Sequence, residues 1–323
     1  MKKNISISSN PKIFQYSNQQ NCSKTILITG ATGYLGSNLV KTFLNDGYFV
    51  IGIKRETSSL IHLKDVLNNS NLLLENSNYE NLKNIFSNNK IDVVIHTACC
   101  YGRNNESLSQ IAQANILFGL YIFELCTFFN TDTFFNTDTF FNTDTLLQPY
   151  LNNYSLSKKH FSQWLKQNST NKIHVFNMKL EHIYGANDSK SKFVSWIFSQ
   201  FKQNKKEILL TQGLQKRDFI YIDDVVNAYK TVLKQKNNFY GFNEFDVGTG
   251  KKITIKDFVK QIQLQYKIKY PNNNTNLIFG AIPYRSGEMM DIKEDITQLL
   301  NLGWEPKIFY KEGIKKILEI EGK

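Results

Sequence analysis

The 323-residue sequence has few cysteines and few prolines, and it lacks any long uninterrupted apolar run. The four cysteines match no zinc-binding or redox spacing, and the adjacent Cys99 and Cys100 make a poor disulfide pair. We therefore expect reduced thiols, as in the cytoplasm, and no metal site. No apolar run approaches the roughly 18 to 20 residues that span a membrane, and the N-terminus lacks the apolar segment of a signal peptide. These absences argue against a secreted disulfide-rich protein and a membrane protein.

Acidic residues are also in the minority, with 28 against 39 basic residues and a net charge of +11. Such an excess would attract an anionic ligand, for example a diphosphate, but a Lys- and Asn-rich composition bias is the preferred explanation. The lysines are scattered and form no stripe with aromatic residues, which argues against a nucleic-acid partner. Hydrophobic residues make up 41% of the chain, which is ordinary for a globular protein of one or two domains. Residues 1–23 are interpreted as a polar N-terminal extension without an assigned function.

The segment TILITGATGYLGSNLVKTFLNDG predicts a short strand, a glycine-rich turn and an amphipathic helix. Gly30 permits the tight turn, Gly33 lets backbone N–H groups approach a pyrophosphate, and Gly36 lets the helix pack closely on the strand. The helix N-terminus then faces the phosphates of a dinucleotide. We expect the cofactor to contact Gly30, Thr32, Gly33, Tyr34, Leu35 and Gly36.

The second predicted strand, residues 48–53, ends at Lys54 and Arg55. An enzyme that prefers NAD usually has Asp or Glu at this position to bind the ribose 2′-hydroxyl group. The alternative reading of Lys54 and Arg55 is a solvated pair of loop charges. The two cations and the missing acid favour NADP, whose 2′-phosphate they would bind.

A third strand follows in the segment KIDVVIHTACC, and strands continue to alternate with helices. We predict an α/β fold, a doubly wound parallel sheet (Rossmann) with a smaller C-terminal substrate-binding domain. His96 has no partner at metal-ligand spacing, so we interpret His96 and Ala98 as a wall of the cofactor cleft. The predicted cofactor domain covers residues 24–176 and about 218–250, and the substrate domain covers 177–217 and about 251–323.

Tyr154 and Lys158 are four residues apart, so they share one face of a predicted helix. A free tyrosine has a pKa of about 10, and a nearby ammonium group would lower it and favour proton exchange. The pair is thus a candidate general acid and its tuning cation.

Immediately before this pair, residues 127–144 contain the unit TFFNTD three times without a mismatch. The last copy lies where the strand before Tyr154 should be, and it supplies Thr143. We interpret the earlier copies as a surface loop that arose by duplication, because long surface insertions cost little entropy. Two alternatives stay open: an earlier copy fills the strand and presents Thr137, or the FF pairs form an added edge strand or contact surface.

The motifs GATGYLG, VIHTA, YSLSK and RDFIYIDD, in this order, resemble the extended short-chain dehydrogenase/reductase family, in its nucleotide-sugar epimerase, dehydratase and reductase branch. NTDTLL followed by NNYSLSKKHF is most similar to the CDP-abequose and paratose synthase type of 4-ketoreductase. The resemblance implies that Tyr154, Lys158 and Thr143 are catalytic and that Lys158 also holds the nicotinamide ribose. It implies further cofactor contacts at Leu180, His182 and Ile183.

The same resemblance separates the possible reactions. Dehydratases of this branch carry Thr-Asp-Glu at the strand end, whereas this chain has Thr143, Asp144 and Thr145. The epimerase-reductases that make GDP-fucose need a cysteine just past this strand, and none follows Cys126. Simple ketone reduction remains, together with two alternatives: an NAD-dependent 4-epimerase and a catalytically idle family member that acts as a scaffold.

The second half of the chain is expected to hold the nucleotide sugar. Glu181 and His182 would face the sugar or have a structural role, and Lys192 with Phe193 would begin a helix that lines the site. Arg217 would pair with the pyrophosphate or brace the domain junction, whereas Asp218, Asp223 and Asp224 are interpreted as structural. The guanidinium of Arg285 suits a diphosphate. The predicted substrate contacts are Asp144, Thr145, Glu181, Lys192, Phe193, Arg217, Arg285 and Glu288, the last of them through the nucleotide ribose hydroxyl groups.

The sequence thus predicts NADPH-dependent reduction of the C4 ketone of a nucleotide-linked 3,6-dideoxy-4-keto sugar, for surface polysaccharide biosynthesis. The expected partner is a CDP- or GDP-linked sugar, with no nucleic acid and no membrane. The resemblance implies a cytoplasmic homodimer that is formed through the helices after Ala114 and Tyr154.

Overall fold

A computed structural model describes residues 24–129, 137–170 and 172–322. The predicted N-terminal extension therefore lies outside the described residues. The strands are β1 (Thr25–Thr29), β2 (Phe49–Lys54), β3 (Leu72–Asn76), β4 (Val93–His96), β5 (Thr139–Thr145), β6 (His174–Leu180), β7 (His182–Tyr184), β8 (Glu207–Leu210), β9 (Lys216–Tyr221), β10 (Phe242–Val247), β11 (Lys252–Thr254) and β12 (Asn276–Phe279).

The helices alternate with these strands through most of the chain. They are α1 (Tyr34–Asn45), α2 (Tyr79–Asn88), α3 (Leu108–Ala112), α4 (Phe118–Phe129), α5 (Asn153–Asn168), α6 (Phe193–Lys202), α7 (Ile222–Lys234), α8 (Ile255–Lys269), α9 (Thr297–Asn301) and α10 (Tyr310–Glu321). A π-helical turn, Gln113–Leu117, joins α3 to α4, and single 3-10 turns occupy Ile61–Leu63, Pro149–Leu151 and Lys236–Asn238.

The largest sheet has seven parallel strands in the order β10-β6-β5-β4-β1-β2-β3. Its inner strands are almost wholly apolar, because both faces of a parallel sheet are covered by helices. Helices α1 and α7 pack together on one face, whereas α2, α4 and α5 pack on the other. The predicted doubly wound α/β fold is confirmed. The strand order reverses between β1 and β4, which is where such sheets bind ligands at the carboxyl edge.

The smaller part of the molecule is formed mainly after β6. It contains a three-stranded sheet, β11-β9-β7, a two-stranded sheet, β12-β8, and the helices α6, α8 and α10. Its apolar side chains continue the main core: the rings of Phe219 and Phe258 stack 3.7 Å apart, and Trp304 is 1% exposed. The proposed domain boundary at 176/177 remains a prediction, and β6 itself runs through it.

The repeat contributes to two elements of the fold. Its last copy forms β5, with Phe141 and Thr143 on one face and Phe140 and Asn142 on the other, as strand geometry requires. The expectation that both earlier copies form a loop is wrong for the first three repeat residues, which complete the last turn of α4. Residues 130–136 lie outside the described residues. The second copy, residues 133–138, includes Thr137, whose hydroxyl group donates to the Ile91 carbonyl oxygen at 2.8 Å.

The helix Leu108–Phe129, which comprises α3, the π-helical turn and α4, is unusually long and apolar. It is 22 residues long with a mean hydropathy of 1.5, so by length and composition alone it could cross a membrane. Such a helix is weak evidence for a membrane span, because core helices of globular proteins share these properties. Here α4 packs against both α2 and α5 over the sheet.

Candidate active site

A deep cleft follows the carboxyl edge of the sheet and continues between the two parts of the molecule. Its volume is about 1820 Å³. A pocket for one drug-sized ligand usually measures about 300–1,000 Å³, so this cleft has room for two such ligands side by side. Its walls comprise the glycine turn, the ends of β4, β5 and β6, the start of α5, and residues of α6 and β9.

The glycine turn after β1 has the conformation that the sequence predicts. Gly30 has φ +66°, and a side chain there would lie 2.8 Å from the backbone nitrogen of Ala98. A side chain on Gly36 would overlap the carbonyl oxygen of Gly30, so the helix can approach the strand only because this residue is glycine. Helix α1 begins at Tyr34, directly after Gly33. Its free N–H groups therefore point toward the cleft, as a phosphate group requires.

The two cations after the second strand lie at one end of the cleft. Lys54 ends β2, and its Nζ donates to Asn76 Oδ1 at 2.9 Å, at the end of the neighbouring strand β3. Arg55 is exposed and lines the same end. Both strand ends thus present cations and a neutral amide rather than a carboxylate.

Tyr154 and Lys158 lie in the first turns of α5 and both line the cleft. The helix begins with a capping box, in which Asn152 accepts from the backbone of Ser155 at 2.8 Å and Ser155 returns a side-chain contact. Lys158 is only 1% exposed, and this burial lowers the pKa of its ammonium group. Burial, and then the neighbouring Tyr101, raises the pKa of Tyr154 well above its usual value. At neutral pH the phenol is therefore protonated.

This result corrects the expected electrostatics of the pair. The sequence predicted that the ammonium group of Lys158 lowers the pKa of Tyr154, but burial dominates and shifts the pKa upward. Because burial raises the pKa of Tyr154, it favours the protonated phenol over the phenolate.

Thr143 reaches the cleft from the carboxyl end of β5. Its Oγ1 lies 2.7 Å from the phenolic oxygen of Tyr229, a buried side chain of α7 whose ring also lies against Phe141. A hydroxyl group has one donor and two acceptor positions. If Tyr229 donates in this hydrogen bond, the Thr143 proton is free to point at a ligand oxygen.

Asp144 lines the cleft, but its carboxylate is already engaged. Its Oδ1 accepts from the Thr145 backbone at 2.7 Å, and its Oδ2 accepts from Lys159 at 3.0 Å and from Asn177 at 3.1 Å. The side chain is 2% exposed. A proton-transfer role for Asp144 is thus disfavoured, and its predicted contact with substrate remains a prediction.

The far end of the cleft carries an ion-pair cluster of two arginines and one glutamate. Arg217 on β9 pairs with Glu288 Oε1, and Arg285 Nε lies 2.7 Å from Glu288 Oε2. Arg217 and Glu288 are largely buried, whereas Arg285 is 55% exposed in its side chain. One carboxylate therefore holds two guanidinium groups in a fixed orientation toward the cleft, and two such forks suit a diphosphate.

Between these two ends the predicted sugar-facing residues do line the cleft. Glu181 is buried and lies 3.0 Å from His182 Nδ1. Lys192 precedes α6, as expected, and its Nζ lies 3.2 Å from Asp188 and 5.3 Å from the ring centre of Tyr34. The remaining predicted contacts, Thr145, Phe193, Leu180 and Ile183, are also part of the cleft wall.

Comparison with known proteins identifies the family. Residues 26–248 match the model described as the NAD dependent epimerase/dehydratase family, which is more than half of the chain. The chain belongs to this family.

Individual family members resemble this chain along nearly its whole length. A CDP-abequose synthase of Salmonella typhimurium is 31% identical, over 91% of this chain and 97% of the relative. A putative UDP-glucose 4-epimerase of Methanocaldococcus jannaschii is 24% identical, over 91% and 97% of the two chains. The crystal structure of UDP-glucose 4-epimerase with UDP-glucose from Thermotoga maritima superimposes with a TM-score of 0.77, at 21% identity and with 98% of its chain covered.

One predicted cofactor contact of this family member is wrong. His96 does not line the cleft: it is 0% exposed, and its ring lies among Phe118, Phe140 and Phe161. Its Nδ1 is 2.9 Å from Thr29 Oγ1, and burial lowers its pKa to about 3, so the ring is neutral. The His96 side chain packs beneath α4 and α5, against Phe118 and Phe161, whereas Ala98 lies beyond the strand end and lines the cleft.

Several residues that line or support the cleft were missed by sequence reasoning. Tyr101 and Arg103 follow β4 and line the cleft, and Tyr229 supports Thr143 from α7. Asn115 is fully buried in the π-helical turn and bonds to Cys100. Of these four residues, only Asn115 could have been noticed in the sequence, because it is an isolated amide in the otherwise apolar stretch ANILFGLYIF. The other three depend on tertiary contacts that no local pattern indicates.

The expected structural roles of two acids agree with their contacts. Asp218 accepts from the hydroxyl group of Thr249 at 2.6 Å, and Asp224 accepts from the backbone of Ile308 at 2.8 Å. Trp304 donates to the Asp224 carbonyl oxygen at 3.2 Å, which ties the C-terminal segment to α7.

Proposed function

We propose that this protein reduces the C4 ketone of a nucleotide-linked 3,6-dideoxy-4-keto sugar with NADPH. The observation that carries the proposal is the arrangement of the cleft. A protonated phenol, a buried ammonium group and a hydroxyl group line its centre, between a glycine turn at one end and an arginine pair at the other.

The residues at the glycine-turn end of the cleft fit a dinucleotide with a 2′-phosphate. The position of Gly36 admits no side chain, which is the requirement for a turn that wraps closely around a pyrophosphate. Lys54 and Arg55 would bind the 2′-phosphate, since neither neighbouring strand ends in an acid. Bound NADPH supplies the hydride for the reduction.

The chain's own groups act on the ketone oxygen. Tyr154 holds the proton and donates it to that oxygen as negative charge develops there. The Thr143 hydroxyl group, oriented by Tyr229, donates a second hydrogen bond to the same oxygen. Lys158 places a positive charge beside the phenol and so stabilises the phenolate that remains after donation.

The far end of the cleft fits a nucleoside diphosphate. Arg217 and Arg285 would bind its phosphate oxygens in exchange for part of their contact with Glu288. The CDP-abequose synthase relative supports a cytidine nucleotide over a guanosine nucleotide. Reduction is favoured over dehydration because Thr145 stands where dehydratases of the branch have Glu, and because Asp144 is engaged.

The test is a panel of 4-keto-6-deoxy and 4-keto-3,6-dideoxy sugars linked to CDP, GDP, UDP and dTDP. Each sugar is mixed with the protein and NADPH, and loss of the reduced nicotinamide absorbance is followed. We expect turnover with the CDP-linked dideoxy sugar and one NADPH consumed per sugar reduced. The absence of turnover with every member of the panel would rule out the proposal.

A 4-epimerase is the second candidate, because a UDP-glucose 4-epimerase shares the fold over nearly its whole length. An epimerase retains NAD during turnover and needs no added reductant. Purified protein that carries bound NAD and interconverts two nucleotide sugars without NADPH would select this alternative.

A cytoplasmic homodimer also belongs to the proposal. Leu117 and Trp164 expose 51% and 54% of their surface on the neighbouring helices after Ala114 and Tyr154. Exposed apolar side chains on two adjacent helices suit an interface between two copies. Light scattering after size-exclusion chromatography should give the mass of a dimer, and Trp164→Asp should shift it toward the 37.5 kDa monomer.

A further inference from the structure

The ring of Tyr101 lies against the ring of Tyr154. The two ring centres are 4.9 Å apart and the planes are inclined by 34°. Tyr101 remains 42% exposed and lines the cleft, so one part of its ring covers Tyr154 and another part faces the space for a ligand. The guanidinium group of Arg103 lies 5.0 Å from the ring centre and adds a cation–π contact.

The backbone around Tyr101 is fixed rather than free to swing. The buried amide of Asn115 accepts from the Cys100 N–H at 2.6 Å and donates to the Cys100 carbonyl oxygen at 2.8 Å. It also contacts Ser157 Oγ of α5 at 2.9 Å, which ties this loop to the helix that carries Tyr154. Gly102 has φ +67°, and a side chain there would lie 2.9 Å from Ile111. The Tyr101–Tyr154 ring pair is therefore a built part of the cleft wall.

We propose that Tyr101 determines specificity by selecting a sugar with a methylene group, and no hydroxyl group, at C3. This inference rests on the proposed function and goes beyond it. The ketone oxygen must lie within about 2.6–3.2 Å of the Tyr154 phenol for proton transfer. The carbons bonded to C4 then lie within reach of the ring that covers Tyr154.

Only one of those two carbons can carry a hydroxyl group. In a hexopyranose, C5 bears the ring oxygen and C6, so C3 is the neighbour of the ketone where sugars differ by a hydroxyl group. An aromatic face packs well on CH₂, whereas it leaves a hydroxyl group without a hydrogen-bond partner. An apolar wall discriminates against an added hydroxyl group by about 10²-fold in kcat/KM.

The experiment compares two substrates, CDP-4-keto-3,6-dideoxyglucose and CDP-4-keto-6-deoxyglucose, which differ only at C3. The wild-type chain should prefer the dideoxy sugar by about 10²-fold in kcat/KM. Tyr101→Phe keeps the ring and should keep this preference. Tyr101→Ala removes the wall and should reduce the preference to less than about 10-fold, mainly through a higher KM for the dideoxy sugar. Tyr240→Ala, a change at a 71% exposed tyrosine that does not line the cleft, is the matched control and should retain the full preference.

Two outcomes would overturn the role of Tyr101. An unchanged preference in Tyr101→Ala would show that the ring does not discriminate between the two substrates at C3. A large loss of kcat in Tyr101→Phe would place the phenol in the proton path instead of in the wall. If the wild-type chain reduces neither sugar, the proposed function itself fails, and that result is distinct from turnover of both sugars without preference.

Discussion

Substituting Tyr229 by Phe removes one hydroxyl group from behind the active site and nothing from the cleft itself. The Tyr229 phenol and Thr143 Oγ1 are 2.7 Å apart, and the Tyr229 ring packs on Phe141 with a centre separation of 5.6 Å. Phenylalanine preserves the ring contact. The substitution therefore isolates the hydrogen bond that orients the Thr143 hydroxyl group.

The expected loss in rate follows from two magnitudes. Removing a donor that stabilises developing negative charge costs about 10²–10³-fold in kcat, so we expect this loss for Thr143→Val. A neutral hydrogen bond contributes about 0.5–1.5 kcal/mol, which corresponds to roughly 2- to 13-fold in rate. We therefore expect Tyr229→Phe to lower kcat by about 3- to 10-fold, and to lower the free energy of unfolding by about 1 kcal/mol.

A double-mutant cycle with saturating NADPH and CDP-4-keto-3,6-dideoxyglucose is the appropriate assay. If Tyr229 acts only through the Thr143 hydroxyl group, Tyr229→Phe should have almost no further effect in the Thr143→Val background. An equal loss in both backgrounds would refute the reasoning, because it would show that Tyr229 influences turnover by another route.

Three further predictions concern the cofactor, the repeat and the carboxyl cluster. Arg55→Ala should raise the KM for NADPH by about 10-fold and leave the KM for NADH nearly unchanged, because only NADPH carries the 2′-phosphate. Deleting residues 133–138 should change the free energy of unfolding by less than about 1 kcal/mol and preserve kcat, because the sequence that enters β5 is restored by the preceding copy. Burial and the neighbouring Asp218 raise the pKa of Glu294 to about 9. The stability linked to this raised pKa is fully present below about pH 4.5 and is lost as pH rises toward 9. In thermal melts, the Tm of Glu294→Gln relative to that of the wild type should rise from pH 6 to pH 9. The matched variant Glu305→Gln, at an exposed position, should show no such trend.

The glycine turn and the repeat show what can be read from the sequence. Gly30 and Gly36 were assigned distinct backbone roles, and both roles follow from local chain geometry that the structure reproduces. The choice of the last repeat copy for β5 rested on its distance from Tyr154, and β5 is formed by that copy.

The errors and omissions have a common physical cause. His96 was predicted to line the cleft because it ends a buried strand, but the pattern of a four-residue strand that is buried throughout does not reveal which side chains reach the cleft. The pKa of Tyr154 depends on burial by distant segments, which spacing along a helix does not report. Tyr101 and Tyr229 reach the cleft centre from segments that precede and follow α5, the helix that carries Tyr154, by many residues.

Proton donation by Tyr154 is the central step of the proposed reduction. Rapid mixing of the protein and NADPH with CDP-4-keto-3,6-dideoxyglucose measures hydride consumption in a single turnover. We expect Tyr154→Phe to bind NADPH with nearly unchanged affinity and to slow this step by about 10²–10⁴-fold. A Tyr154→Phe variant that consumes NADPH as fast as the wild-type chain would contradict the account.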